Sequence, residues 1–136
     1  MNDLDACDHA LLRALAQDAT QSAGALAREL GLSQPAAWRR IRRLQTAGIL
    51  AGQRVVVNRE TLGFGVTVFL GVKLATKGRV SLEDFERAVT AIPEVQLVQH
   101  VLGLYDYRLR VVARDLADFE RVLRRRIMTL PGLGQV

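Results

Sequence analysis

Apolar residues recur at helical spacing in the first half of the chain and at strand spacing in the second half. Leu4, Asp8, Leu11, Leu12 and Leu15 share one helical stripe. Asp18 and Thr20 interrupt it. Ser22 is placed to cap a second short helix with Ala23, Leu26, Ala27 and Leu30 facing inward, and Gly31 ends it. Ser33 caps a third helix, in which Pro35 is tolerated because it falls in the first turn. Ala37, Ile41 and Leu44 are its inward stripe, and Gly48 stops it. The apolar run Val55-Val56-Val57 reads as a small wing or linker strand.

From Val66 the period changes to two, and 66–74 reads as a strand. Lys77-Gly78 is a turn. Ser81-Leu82-Glu83-Asp84 resembles a capping box and opens a helix that buries Leu82, Phe85, Val89 and Ile92 before Pro93. Strands follow over Val95–Leu102 and Tyr107–Ala113, joined by the turn Gly103-Leu104-Tyr105-Asp106. Asp115 caps a last helix carrying Leu116, Phe119, Val122, Leu123 and Ile127, and Pro131-Gly132 breaks it. The order is three helices and a short strand, then β-α-β-β-α, a split βαβ pattern lacking its final strand. The class is α+β. Residues 1–50 form a helix-turn-helix domain, 51–64 a linker strand and 65–136 a second domain. Only Leu133-Gly134-Gln135-Val136 remains for a fourth strand. The sheet edge is therefore expected to be unpaired, through truncation or because a partner covers it.

Composition narrows the function. With 136 residues, 49% hydrophobic and 24% charged, the chain has room for one full domain or two small ones. Large barrels and doubly wound dehydrogenases need more chain. No run of about 18 uncharged apolar residues is present to span a membrane, and the acidic start MNDLDACDHA does not read as a secretory signal. The single Cys7 excludes an internal disulfide, which fits a cytoplasmic protein. The net charge is +5, and seventeen of the nineteen basic residues are Arg, whose planar fork suits phosphates and guanine edges.

The arginines are concentrated on the third helix. At 100° per residue, Pro35, Arg39, Arg42 and Thr46 oppose the apolar stripe, Trp38 and Arg43 flank them, and Arg40 sits beside the stripe. A helix so arranged can enter a major groove, its first residues meeting base edges and its cations meeting phosphates. The expected DNA contacts are Ser33, Gln34, Trp38, Arg39, Arg42 and Arg43. Gln34 suits adenine and Arg39 guanine. Trp38 can stack on sugar or pack on the scaffold. A solvated basic face of a small helical bundle is the bland alternative.

These residues carry a resemblance. Leu4-Asp5, Leu11-Leu12, Leu15, Asp18, Leu26-Ala27, Gly31-Leu32-Ser33, Arg39-Arg40-Ile41-Arg42-Arg43-Leu44 and Gly48-Ile49-Leu50 resemble, in order, the DNA-binding domain of the Lrp/AsnC (feast/famine) transcriptional regulators. Leu62-Gly63-Phe64, Val101–Tyr107 and Leu130-Pro131-Gly132 resemble the rest of that family's chain. The resemblance implies a winged helix-turn-helix domain followed by a ferredoxin-like βαββαβ ligand-sensing domain. It also implies a homodimer built by sheet-to-sheet packing, higher homo-oligomers, double-stranded DNA as partner and an amino acid or related small molecule as effector. Carried over, the effector would meet Gly103, Leu104, Tyr105 and Asp106. Gly103 permits close backbone approach, and Asp106 can accept from an ammonium group. The same turn is equally explained as a hairpin whose Gly and Asp serve conformation alone. Leu102 stands where the family usually has Thr, which removes a hydroxyl.

An enzyme is the alternative, since siroheme decarboxylases share this architecture. His9 and Cys7 do not share a helix face, and His100 is a lone strand histidine. No metal-ligand spacing, phosphate loop or nucleophile elbow is present. No catalytic residue, metal or cofactor is expected, and a pure interaction module would leave residues 22–50 unexplained.

Overall fold

A computed structural model describes residues 3–75 and 79–136. The expected turn at Lys77-Gly78 lies outside the described residues. The chain divides into two compact units, Met1–Val56 and Val57–Val136.

The first unit is three helices, α1 (Ala6–Gln17), α2 (Ala23–Leu30) and α3 (Gln34–Thr46). Each starts where a short polar side chain satisfies a backbone N–H left without a helical partner. Asp5 accepts from the Asp8 N–H, Ser22 from Ala25 and Ser33 from Ala36. Leu4 therefore precedes α1 instead of riding its stripe. Gly31 closes α2 in the left-handed conformation at φ 68°. Leu11, Ala14 and Leu26 form the core, with Leu15, Leu30 and Ile41 packed around them. Ala37 and Leu44 are fully buried on α3. Truncating a core leucine such as Leu11 or Leu26 to Ala would cost about 2–5 kcal/mol.

The expected wing is not formed within this chain. Among the described residues, 51–58 have no strand partner, and Val55 and Val56 are 89% and 96% exposed. Three β-branched residues favour a strand, but strand preference is realised only against a neighbour.

The second unit is one four-stranded antiparallel sheet, order β2-β3-β1-β4, with β1 Val66–Leu74, β2 Val95–His100, β3 Tyr107–Ala113 and β4 Leu133–Gln135. The final strand is thus present, contrary to the sequence expectation. It is three residues long and pairs with Lys73 and Leu74 at the end of β1. A Cβ on Gly134 would stand 2.9 Å from the Ala75 nitrogen and 3.0 Å from the Lys73 carbonyl oxygen, so the missing side chain is what admits the strand. Helix α4 (Arg79–Thr90) begins before Ser81. Ser81 therefore lies inside the helix and is not its cap, and its side chain is outside those described. Helix α5 (Leu116–Val122) is capped by Asp115 and passes into a π turn at Leu123–Ile127.

One sheet face packs on these helices through Val72, Leu109 and Val111 against Phe85, Val89, Val122 and Ile127. The other face carries Phe69, 52% exposed, with the Arg108 guanidinium 4.4 Å from its ring centroid.

Candidate nucleic-acid interface and sensing turn

On α3 the side chains divide as the wheel requires. Ala37 and Leu44 are buried and Ile41 joins the core, so Ser33, Gln34, Trp38, Arg39, Arg42 and Arg43 are left exposed. Ser33 is occupied as the cap, its hydroxyl 3.3 Å from the Ala36 nitrogen. Gln34 lies back along α2, its amide 3.6 Å from where a Cβ on Gly24 would sit. Arg42 places its guanidinium carbon 5.6 Å from the Trp38 ring centroid, and Trp38 stays 56% exposed. The outer face therefore presents an indole and a guanidinium together. Among the described residues, Arg39 and Arg42 form no ion pair.

Arg40 and Arg43 behave differently. Arg40 Nη1 donates to both Asp5 oxygens, at 2.9 and 2.7 Å, and to Asp8 Oδ1 at 3.0 Å. Arg43 Nη2 donates to Asp8 Oδ2 at 2.6 Å. Asp8 is fully buried, and its Oδ2 also accepts the Asp5 N–H at 3.2 Å. With Asp5 accepting the Asp8 N–H at 2.8 Å, the two aspartates make a reciprocal capping box at the head of α1. The Arg40 guanidinium, with help from the Asp8 N–H, holds the Asp5 carboxyl down at about 2. Arg43, expected as a DNA contact, is thus turned toward α1. Two signals for this were present in the sequence: a carboxylate on an otherwise apolar stripe, and an arginine beside one.

In the second unit the turn after β2 is held from three directions. The Asp106 N–H donates to the Val72 carbonyl at 2.9 Å, and the Asp106 carbonyl accepts from Val101 at 3.0 Å. Asp106 Oδ2 accepts the Leu74 N–H at 2.9 Å. Gly103 adopts φ 136°, which admits glycine readily and few other residues. Leu102 and Leu104 are 99% and 73% exposed. The turn borders a cavity of ≈ 270 Å³ to which Gly103, Tyr105 and Asp106 contribute, together with Leu74, Leu82 and His100; Leu104 does not line it. The His100 ring stacks on Tyr107 at 5.1 Å, and the Tyr107 hydroxyl donates to Glu86 Oε1 at 2.5 Å. Burial, reinforced by Glu86, pushes the Tyr107 phenol up to about 12. His100 is thus an exposed residue at the end of β2 whose ring rests on Tyr107 and borders the cavity. Cys7 is a half-buried free thiol on α1. Among the described residues, no group of His, Cys, Asp or Glu is arranged to hold a metal ion, and no helix is long and apolar enough to cross a membrane.

Residues 4–45 match the AsnC-type helix-turn-helix domain, and residues 67–136 match the Lrp/AsnC ligand binding domain. The chain is 36% identical to a proline dehydrogenase transcriptional activator of Rhizobium radiobacter, covering 98% of this chain and 85% of that protein. It is 35% identical to the DNA-binding transcriptional activator DecR of Escherichia coli, covering 98% and 88%. Among solved structures, an AsnC family transcriptional regulator from Agrobacterium tumefaciens superposes with a TM-score of 0.90 at 30% identity, covering 97% and 86%. A transcriptional regulator from Neisseria meningitidis in complex with L-Met superposes at 0.93 with 25% identity, covering 98% and 86%. This chain belongs to the Lrp/AsnC family of transcriptional regulators.

Proposed function

We propose that this chain regulates transcription by laying α3 in the major groove of double-stranded DNA, with Arg39, Arg42 and Trp38 as its outward contacts. The observation that carries this is the division of α3: Ile41 joins the core while Arg39 and Arg42 face outward without a carboxylate partner among the described residues. Ser33 and Gln34 stand at the helix start, where base edges are met. Arg39 is suited to guanine, and Arg42 with Trp38 to the sugar-phosphate wall. Arg43, held on Asp8 Oδ2 at 2.6 Å, is not among these contacts in the native chain.

Two such helices act together in a homodimer assembled on the open sheet face. Phe69 and Arg108 lie on that face, and the buried Nε of Arg110, opposite Phe69, has no hydrogen-bond partner among the described residues. The half-sites would then lie about 34 Å apart on one side of the duplex. Higher homo-oligomers build on that dimer. A small molecule of the amino-acid class acts at the turn Gly103–Asp106, in keeping with the L-Met complex of the Neisseria relative. It shifts the relation between protomers and so which half-sites are reached together. The protein works in the cytoplasm and carries out no catalysis.

The test is a DNA titration at several salt concentrations. Arg39→Ala and Arg42→Ala each flatten the slope of log K against log salt by about 0.9 for each phosphate that is no longer neutralised. A slope unchanged by both substitutions removes the assignment of α3.

A further inference from the structure

Four arginines stand on α3, and the fold treats them in two pairs. Arg39 and Arg42 face outward. Arg40 and Arg43 are drawn back onto Asp5 and Asp8 of the α1 capping box. We propose that Asp5 and Asp8 set the DNA specificity of this chain: they withhold two guanidinium groups from sequence-blind phosphate contact and fix the rotation of α3 against α1. They are positioning residues that act through Arg40 and Arg43, and the inference rests on α3 being the reading helix.

The chemistry is a competition. A guanidinium binds a carboxylate and a phosphate through the same forked donors. The side chains of Arg40 and Arg43 are 28% and 59% exposed, so neither guanidinium is sealed from solvent. The Asp8 side chain is 0% exposed. Its carboxylate receives Arg40 on one oxygen and Arg43 with the Asp5 N–H on the other. A buried carboxylate so surrounded is costly to leave unpaired, which holds both arginines in place. Phosphate contacts raise affinity for every sequence alike, whereas base contacts discriminate. Withholding two cations from the first class lowers affinity for every duplex by the same factor and so keeps non-specific binding weak, while the ratio of specific to non-specific binding is set by how α3 is held. The same three ion pairs join the head of α1 to the middle of α3, so the angle at which Gln34 and Arg39 meet the groove is fixed from within the unit.

The experiment uses the full chain and two duplexes: one enriched by the native protein from a random pool, and a scrambled duplex of the same composition. Asp8→Asn keeps the shape and removes the charge. Its binding to the scrambled duplex is expected to tighten several-fold, with a salt slope steeper by about 0.9–1.8 per protomer. The ratio of enriched to scrambled affinity is expected to fall about tenfold. Arg43→Ala leaves the native slope unchanged, but in the Asp8→Asn background it lowers the slope by about 0.9. Equal weakening on both duplexes with an unchanged slope overturns the proposal and makes Asp8 a structural residue only. Should Asp8→Asn fail to fold, the surface variant Asp5→Asn carries the same expectation through Arg40, and an Arg43→Ala slope reduced by about 0.9 in the native background is then the overturning result. If the native protein enriches no sequence at all, the reading of α3 falls and this proposal with it. Enrichment with a flat Asp8→Asn response removes the proposal alone.

Discussion

The ring of Tyr105 lies directly over Gly71. A Cβ built on Gly71 would stand 2.5 Å from Tyr105 Cδ2 and 2.6 Å from Cγ, closer than any real contact. The middle of β1 is therefore bare so that the turn after β2 can fold onto it, and this seats one wall of the ≈ 270 Å³ cavity. Gly71→Ala is expected to expel the ring and lower stability by about 1–3 kcal/mol, the usual cost of overpacking. Tyr105→Ala in the same background should restore most of that stability. A thermal-melt double-mutant cycle with no coupling between the two positions would refute the contact.

Asp106 tests the sensing turn. Its carboxylate accepts the Leu74 N–H, and its own N–H reaches Val72, so it ties the turn to β1 before any effector arrives. Asp106→Ala is expected to cost about 1–3 kcal/mol by leaving a part-buried N–H without its acceptor. Asp106→Asn retains an oxygen and should recover much of the stability. If the small molecule meets the carboxylate as well, Asn will fold normally yet respond weakly in a thermal-shift screen of the twenty amino acids. Equal melting temperatures for Ala and the native residue would show that the Leu74 bond contributes nothing.

The elements of this chain were legible where local chemistry decides them. The caps Ser22, Ser33 and Asp115, the stop at Gly31, and strands 66–74 and 107–113 follow from periodicity and turn residues. What escaped was set by residues distant in sequence. Val55-Val56-Val57 has every strand preference and no strand partner among the described residues of this chain. Leu133-Gly134-Gln135 has little strand preference and pairs because β1 offers an edge. On α3 a helical wheel separates inside from outside, but it does not show that an acid 35 residues away takes Arg43 back. The candidate contacts Arg39 and Arg42 were visible for the complementary reason, since an outward cation needs only its own helix.

Gly134 should be the most sensitive point of the last strand. Its neighbours at 2.9–3.1 Å are backbone atoms of Lys73 and Ala75, which cannot swing aside as a side-chain tip would. Gly134→Val is expected to detach β4 and expose the edge of β1, promoting association through unpaired backbone groups. Hydrogen exchange should report it: the Ala75 amide, bonded to the Gly132 carbonyl at 2.9 Å, loses protection while the β1–β3 amides keep theirs. Unchanged protection at Ala75 would mean that β4 does not depend on the missing side chain.

The last prediction concerns acid. Asp5 is held at about 2 by the Arg40 guanidinium and the Asp8 N–H, against an ordinary value of 3.8. The folded state therefore binds this proton less readily than the unfolded state does. A depressed carboxyl contributes stability that is fully present above the ordinary value and is lost as pH falls through the folded one. The window runs from the ordinary value of 3.8 down to about 2, and Arg40 stays charged throughout it. Trp38 is the only tryptophan and lies on α3, so its fluorescence follows the first unit. Thermal melts of the native chain and of Asp5→Asn should differ by a constant amount above that window and converge toward its lower end. The Arg40→Gln chain should lose the larger part of that pH-dependent component, because the main group that depresses Asp5 is gone while the Asp8 N–H remains. A native-minus-Asn difference that stays the same across the whole window would show that the Arg40 bridge leaves the carboxyl unperturbed, and the clamp between α1 and α3 would then have to rest on Asp8, with Arg40 and Arg43, without Asp5.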